Sequence, residues 1–132
     1  MEKYLEIDEL NTVLSTCSPK FTQDVSDQEL EWVYSTINLV KAEQIDLTKL
    51  GTSFDMLVWT GIQQIPFGER RTYKELALQI GKPTSHRAIA NACGRNKLFL
   101  LIPCHRVVGT NNLGGFKWGI ELKKRLLDFE RT

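Results

Sequence analysis

Residues 72–94 read Thr72-Tyr73-Lys74-Glu75-Leu76-Ala77-Leu78-Gln79-Ile80-Gly81-Lys82-Pro83-Thr84-Ser85-His86-Arg87-Ala88-Ile89-Ala90-Asn91-Ala92-Cys93-Gly94. Thr72 and Glu75 have the spacing of a capping box, in which side chains at both ends of a first turn satisfy exposed backbone N–H groups. A short helix over Tyr73–Ile80 follows, and Gly81-Lys82-Pro83 ends it. Thr84 or Ser85 can cap a second helix running through Cys93, with Gly94 at the closing position where a left-handed residue costs least. Two short helices joined by a tight glycine-containing turn read as a helix-turn-helix. The second carries Arg87 on a surface of small residues, Ala88, Ala90 and Ala92. Small side chains allow close approach of any partner, so on this feature an internal packing helix explains the pattern as well as DNA contact does.

Working towards the N-terminus, the turn Pro66-Phe67-Gly68 separates this unit from another helix. Thr52 and Asp55 repeat the capping spacing just after Gly51, and Phe54, Leu57, Val58 and Ile62 form its apolar stripe. A third capping pair, Ser26 and Glu29, introduces a helix whose face is Leu30, Val33, Tyr34, Ile37 and Val40. Before it, residues 4–14 suit a short helix and 17–27 a loop or short strand. Towards the C-terminus, Leu98–Val108 is nearly all apolar, yet its centre is Pro103-Cys104-His105-Arg106. The Asn- and Gly-rich stretch Gly109–Gly115 reads as a hairpin or mobile loop. A final amphipathic helix presents Leu122, Leu126 and Phe129 on one face, with Lys123, Lys124 and Arg125 expected to be exposed.

The 132 residues suffice for one compact domain, and a chain of this size buries roughly 68% of its unfolded surface. With 42% hydrophobic and 25% charged residues the chain reads as globular. Its longest apolar run, Leu98–Ile102, is five residues, too short to span a membrane. The start Met-Glu-Lys-Tyr-Leu-Glu has no apolar signal region, which argues against secretion and for a cytoplasmic protein, or a nuclear one in a eukaryote. Cys17, Cys93 and Cys104 form no Cys-x-x-Cys pair and only His86 and His105 accompany them, which argues against a disulfide framework or a structural zinc site. The net charge of +1 conceals a division along the chain. Residues 1–65 hold 4 basic and 11 acidic side chains, whereas residues 66–125 hold 12 basic and 3 acidic. Such asymmetry suits a polyanionic partner for the second half, and it also suits a merely solvated basic face.

Cysteine is the best neutral-pH nucleophile among side chains when a base or cation stabilises its thiolate. His105 and Arg106 follow Cys104 directly. In an extended segment adjacent side chains point to opposite faces, so a direct Cys104–His105 bond would be strained and a bridging water would relieve it. Glu130 is a candidate to orient the imidazole, because the last helix must fold back to bury Leu126 and Phe129. Taken by itself, a Cys-His pair in an apolar run is more often structural than catalytic.

The run Ile102-Pro103-Cys104-His105-Arg106-Val107-Val108-Gly109 resembles the signature of the O6-alkylguanine-DNA alkyltransferases, the methylated-DNA–protein-cysteine methyltransferases. Around it, in order, stand Gly51-Thr52-Ser53-Phe54, Val58-Trp59, Ile65-Pro66-Phe67-Gly68, Thr72-Tyr73-Lys74-Glu75-Leu76-Ala77, Arg87-Ala88, Gly94-Arg95-Asn96, Leu113-Gly114-Gly115-Phe116-Lys117-Trp118-Gly119, and Lys123 through Leu126-Leu127 to Glu130. The resemblance covers residues 50–132. It implies an α+β, mainly helical fold: a winged-helix-like C-terminal domain with a helix-turn-helix (50–132), preceded by a shortened N-terminal α/β remnant (1–49).

The resemblance also implies a chemistry. The protein would bind double-stranded DNA carrying O6-alkylguanine as a monomer, flip the damaged base from the stack, and transfer its alkyl group irreversibly to Cys104. His105 would accept the thiol proton through water, Glu130 would hold the His105 ring, Asn96 would order the network, and the Tyr73 hydroxyl would neutralise charge developing on the base. Arg87 corresponds to an arginine finger that fills the vacated stack, with Thr84, Ser85, Ala88, Arg95 and Lys123 also expected at DNA. Cys93, Phe99, Val107, Gly114, Gly115 and Phe116, together with Tyr73, are expected around the flipped base. Because a thioether has no carbonyl for water to attack, one turnover consumes the protein, and neither a metal nor a diffusible methyl donor is called for. Departures from the family pattern are Asp55 where Gln is common, His86 beside the arginine finger, Lys97 after Asn96 in place of Pro, and Phe99. They make O6-methylguanine the expected substrate, with O4-methylthymine second and bulky adducts disfavoured. The competing readings are a non-enzymatic sensor of alkylated DNA, a winged-helix regulator with an inert cysteine, and a Cys-His hydrolase.

Overall fold

The computed structural model describes residues 25–37, 51–96 and 100–131. The helix and strand expected within residues 4–24, the position of Val40, the side chain of Ile37 and residue Phe99 lie outside the described residues. Among the described residues five helices and two short strands follow in order: α1 (Asp27–Ile37), α2 (Ser53–Gln63), β1 (Arg71–Thr72), α3 (Tyr73–Gln79), α4 (His86–Gly94), β2 (Val107–Val108) and α5 (Ile120–Glu130). A single 3₁₀ turn, Cys104–Arg106, precedes β2.

All three capping boxes form. Thr52 Oγ1 accepts from the Asp55 N–H at 3.1 Å while Asp55 Oδ2 accepts from the Thr52 N–H at 3.1 Å. Thr72 and Glu75 reciprocate at 3.0 and 2.8 Å, and Ser26 and Glu29 at 3.1 and 3.3 Å. Each pair satisfies donors that a helix start otherwise leaves orphaned. Helix α4 differs from expectation at both ends. Ser85 takes the N-cap position without a side-chain cap, and Gly94 remains helical, the chain continuing into Arg95 in a right-handed conformation. The left-handed residue of this unit is Gly81, φ +75°, which makes the turn between α3 and α4.

The core gathers Val58, Trp59 and Ile62 of α2, Leu76 and Ala77 of α3, Ile89 and Ala92 of α4, the Leu100–Ile102 segment, Val107, and Leu122 and Leu126 of α5. Burying side chains of this size contributes roughly 1.5–3 kcal/mol each. On α2 the buried face is rotated from the expected stripe: Trp59 is in the core and its indole N–H donates to the Ala92 carbonyl at 3.0 Å, whereas Leu57 is exposed. Strands β1 and β2 pair in parallel, Arg71 opposite Val107 and Thr72 opposite Val108. This pairing sets the start of α3 beside the segment carrying Cys104.

Ahead of residue 51 the described residues contribute α1, whose Leu30 and Val33 are fully buried. Arg125 of α5 holds it, donating to the Val25 carbonyl at 3.2 Å and pairing with Asp27. Tyr34 stacks on Phe129 with ring centroids 5.3 Å apart. These contacts cover the back of α5, the helix that ends in Glu130.

Candidate active site

Cys104 opens the 3₁₀ turn, so the backbone here is coiled and not extended as the apolar run suggested. Its N–H donates to the Ile102 carbonyl at 2.7 Å and the Arg106 N–H to the Pro103 carbonyl at 2.9 Å. The turn places Cys104, 5% exposed, at a cleft of about 300 Å³ while sending His105, fully buried, inward. Tyr73, Ala90, Cys93, Gly94, Gly115, Phe116 and Lys117 line the rest of that cleft.

Asn96 is wholly buried, and its side-chain amide donates to Cys104 Sγ at 3.3 Å and to the Ile102 carbonyl at 2.9 Å. The Cys93 thiol hydrogen-bonds Cys104, and this contact together with burial raises the Cys104 thiol well above its ordinary range. Asn96 and the charge of Lys123 pull the other way without overcoming it. At rest Cys104 is therefore a thiol, and forming the thiolate requires a base.

His105 Nε2 bonds Glu130 Oε2, and the carboxylate accepts in return from Arg106 Nε at 2.8 Å and the second Arg106 guanidinium nitrogen at 3.2 Å. Burial alone would raise the Glu130 carboxyl, but bonds from His105, Arg106 and Tyr34 outweigh it and hold it at about 2. An ionised Glu130 accepts the Nε2 proton, which leaves a lone pair on Nδ1. Nδ1 is buried and has no protein hydrogen-bond partner. Burial holds the imidazole below its ordinary value despite Glu130, so it is neutral near pH 7. A neutral imidazole with a free Nδ1 is a base.

Tyr73 begins α3, half-buried, with its hydroxyl pushed up to about 12 by burial and by the two cysteines. It therefore stays protonated and able to donate. Gly114 meets this hydroxyl: φ is +71°, and a Cβ there would lie 2.8 Å from Tyr73 Oη. Phe116 packs edge-on to His105 at 6.3 Å and to Trp118 at 5.4 Å.

Two expected roles are corrected. Lys123, placed at the DNA surface by its charge, is fully buried; its ammonium donates to the Val107 carbonyl at 2.7 Å and the Gly115 carbonyl at 2.9 Å. Burial lowers it to about 8. The helical period put it on the polar side, but β2 and the loop 109–119 lie over that side and each supplies a carbonyl acceptor. Val107 packs in the core through β2 and is not among the residues lining the cleft. Arg95 keeps half of its side chain exposed while its guanidinium grips the buried Asp55 carboxylate, Nε to Oδ1 at 3.0 Å and a terminal nitrogen to Oδ1 at 2.6 Å. That bond chiefly keeps the Asp55 carboxyl below its ordinary value.

Thr84, Arg87 and Ala88 are exposed and Ser85 half-exposed at the start of α4, on the same helix whose Ala90, Cys93 and Gly94 line the cleft. Sequence reading missed two groups at Glu130. Arg106 was read only as a neighbour of Cys104, and Tyr34 only as part of an apolar stripe. Among the described residues no three His, Cys, Asp or Glu side chains gather to hold a metal ion, and no helix is long and apolar enough to cross a membrane.

Comparison with known proteins agrees with this geometry. Residues 53–132 match the family 6-O-methylguanine DNA methyltransferase, DNA binding domain. A probable methylated-DNA–protein-cysteine methyltransferase of Acanthamoeba polyphaga mimivirus is 54% identical over 87 residues, 66% of this chain and 58% of that protein. Among solved structures, Mycobacterium tuberculosis OGT in complex with DNA is similar with a TM-score of 0.60 and 44% identity, over 61% of this chain and 51% of that one. The O6-methylguanine-DNA methyltransferase of Pyrococcus kodakaraensis is similar over 100% of this chain and 68% of its own, with a TM-score of 0.59 and 26% identity. The chain spans about three fifths of the length of the mimiviral relative.

Proposed function

Because the chain belongs to the 6-O-methylguanine DNA methyltransferase family, we propose that it repairs DNA by direct reversal, taking a methyl group from O6 of guanine onto Cys104. The observation that carries this reading is the placement of the Cys104 thiol at a cleft beside the helix-turn-helix, backed by a buried neutral imidazole that Glu130 orients. O4-methylthymine is the second candidate substrate.

The exposed start of α4 meets double-stranded DNA, with Arg87 entering the stack as the damaged base leaves it. Unstacking a base costs a few kcal/mol, least for a mispaired one. Weak sequence preference suits a lesion that occurs anywhere, so phosphate contacts from the basic stretch 66–125 carry most of the affinity.

In the cleft the base lies against Tyr73, Cys93, Gly115 and Phe116. His105 Nδ1 takes the thiol proton through a water, and Asn96 steadies the sulfur as it becomes anionic. The thiolate attacks the methyl carbon, the S–CH₃ bond forms, and the O6–CH₃ bond breaks with its electron pair left on the base. Tyr73 donates to the base as that charge develops. Lys123 supplies a fixed positive charge behind the sulfur. The thioether is stable to water, so each molecule acts once. Residues 50–132 form the catalytic and DNA-binding domain and 1–49 an N-terminal region; the protein acts as a monomer, in the cytoplasm or, in a eukaryote, the nucleus.

The test is intact and peptide mass spectrometry after mixing the protein with a duplex carrying one O6-methylguanine. One added methyl per molecule, on Cys104, with equal loss of lesion and none in Cys104→Ala, is the expected result. Tight binding without transfer would make the protein a lesion sensor instead.

A further inference from the structure

Tyr34 lies outside the family-matched stretch 53–132, yet its side chain enters the buried network. Its hydroxyl donates to Glu130 Oε2, the same oxygen that bonds His105 Nε2. The ring is clamped in place, stacked on Phe129 at 5.3 Å and edge-on to Phe67 at 5.4 Å. Helix α1 is itself pinned to α5 through Arg125. The meeting of Tyr34 and Glu130, 96 residues apart, is thus fixed by tertiary docking.

We propose that Tyr34 is a positioning residue of the Cys104–His105–Glu130 relay, which by sharing Glu130 Oε2 with His105 sets how readily the His105–Glu130 pair takes up a proton. The consequence for methyl transfer rests on the function proposed above; the effect on the pair does not.

Two donors on one carboxylate oxygen compete for its charge. Burial and the Glu130 charge push the Tyr34 phenol far above its ordinary range, so it remains a donor at every working pH. Glu130 is met by Tyr34 from α1, by the Gly68 N–H at 3.3 Å from the turn before β1, and by His105 and Arg106 from the 3₁₀ turn. His105 is faced by Glu130 and Lys123 from α5 and by Arg106 beside it, and the two cations disfavour its protonation. Glu130 is therefore the group that favours the imidazolium. Removing the Tyr34 hydroxyl returns charge to Oε2, so the pair binds its proton at higher pH.

Tyr34→Phe keeps the stacked ring and deletes only the donor. In a ¹⁵N-histidine NMR titration, with His86→Gln separating the exposed second histidine, the His105 midpoint should rise by about one pH unit, tenfold in proton affinity. The acid limb of the single-turnover methyl-transfer profile should move with it, leaving the high-pH plateau in place. Substituting 3-fluorotyrosine at position 34, a stronger donor with the same ring, should move both downward. Superimposable His105 titrations, or a rate lowered equally at every pH with the titration unmoved, would overturn the proposal. A shifted titration in a protein that transfers no methyl would uphold Tyr34's hold on the pair and sink the proposed reaction.

Discussion

Glu130→Gln is the sharpest test of the buried network, because the carboxylate accepts from five donors on three separate segments of the chain. Its ionisation moves from 4.5 to about 2 on folding. Folded protein therefore binds fewer protons at Glu130 than unfolded protein does, and stability falls as pH falls from 4.5 towards 2. The shift corresponds to about 3 kcal/mol at neutral pH and roughly 1.5 kcal/mol at pH 3, from 1.36 kcal/mol per unit. Glutamine is nearly isosteric but turns an N–H towards Arg106, His105 or Tyr34, leaving a buried cation unpaired, a change that typically costs about 3–5 kcal/mol. Urea unfolding of wild type and variant at pH 7 and pH 3 measures the difference directly. We expect a loss of about 3 kcal/mol or more at pH 7 that shrinks by about half at pH 3. An equal loss at both pH values would show that Glu130 acts by packing and not by charge, and the account of His105 as an oriented base would fall with it.

Other consequences follow from the same geometry. Lys123 is held at about 8 against an ordinary 10.5, so the unfolded chain binds its proton more tightly and this group adds stability as pH rises above 8. Between pH 7.5 and 9.5 the gain is about 2 kcal/mol, and Lys123→Met should abolish it in urea melts while slowing methyl transfer. Gly114→Ala combines a left-handed backbone with a Cβ pressed against Tyr73 Oη; thermal melts should show a loss of about 1–2 kcal/mol, and single-turnover transfer should slow because Tyr73 is displaced.

Local chemistry made much of the fold legible in the sequence. The three capping pairs act within four residues of chain, and Thr52–Asp55, Thr72–Glu75 and Ser26–Glu29 all form. The helix-turn-helix follows from α3, Gly81 and α4, again over a short span. The motif around Cys104 marks the proposed nucleophile and base, and the return of α5 to the core marks Glu130, which bonds His105.

What escaped the sequence was the environment of charges, since periodicity gives a residue's face on its own helix but not what another segment lays over it. Lys123 reads as a surface cation, whereas carbonyls of Val107 in β2 and Gly115 in the following loop cover it. The partner of Arg95, Asp55, stands 40 residues away and no local pattern announces it. Tyr34 read as one more apolar position until α1 docked on α5 and brought its hydroxyl to Glu130. Residue types and local spacing alone name the side chains proposed for the chemistry and where the helices begin. Only tertiary packing decided which of the charges are buried, paired and tuned, because desolvation and ion pairing depend on neighbours distant in the chain.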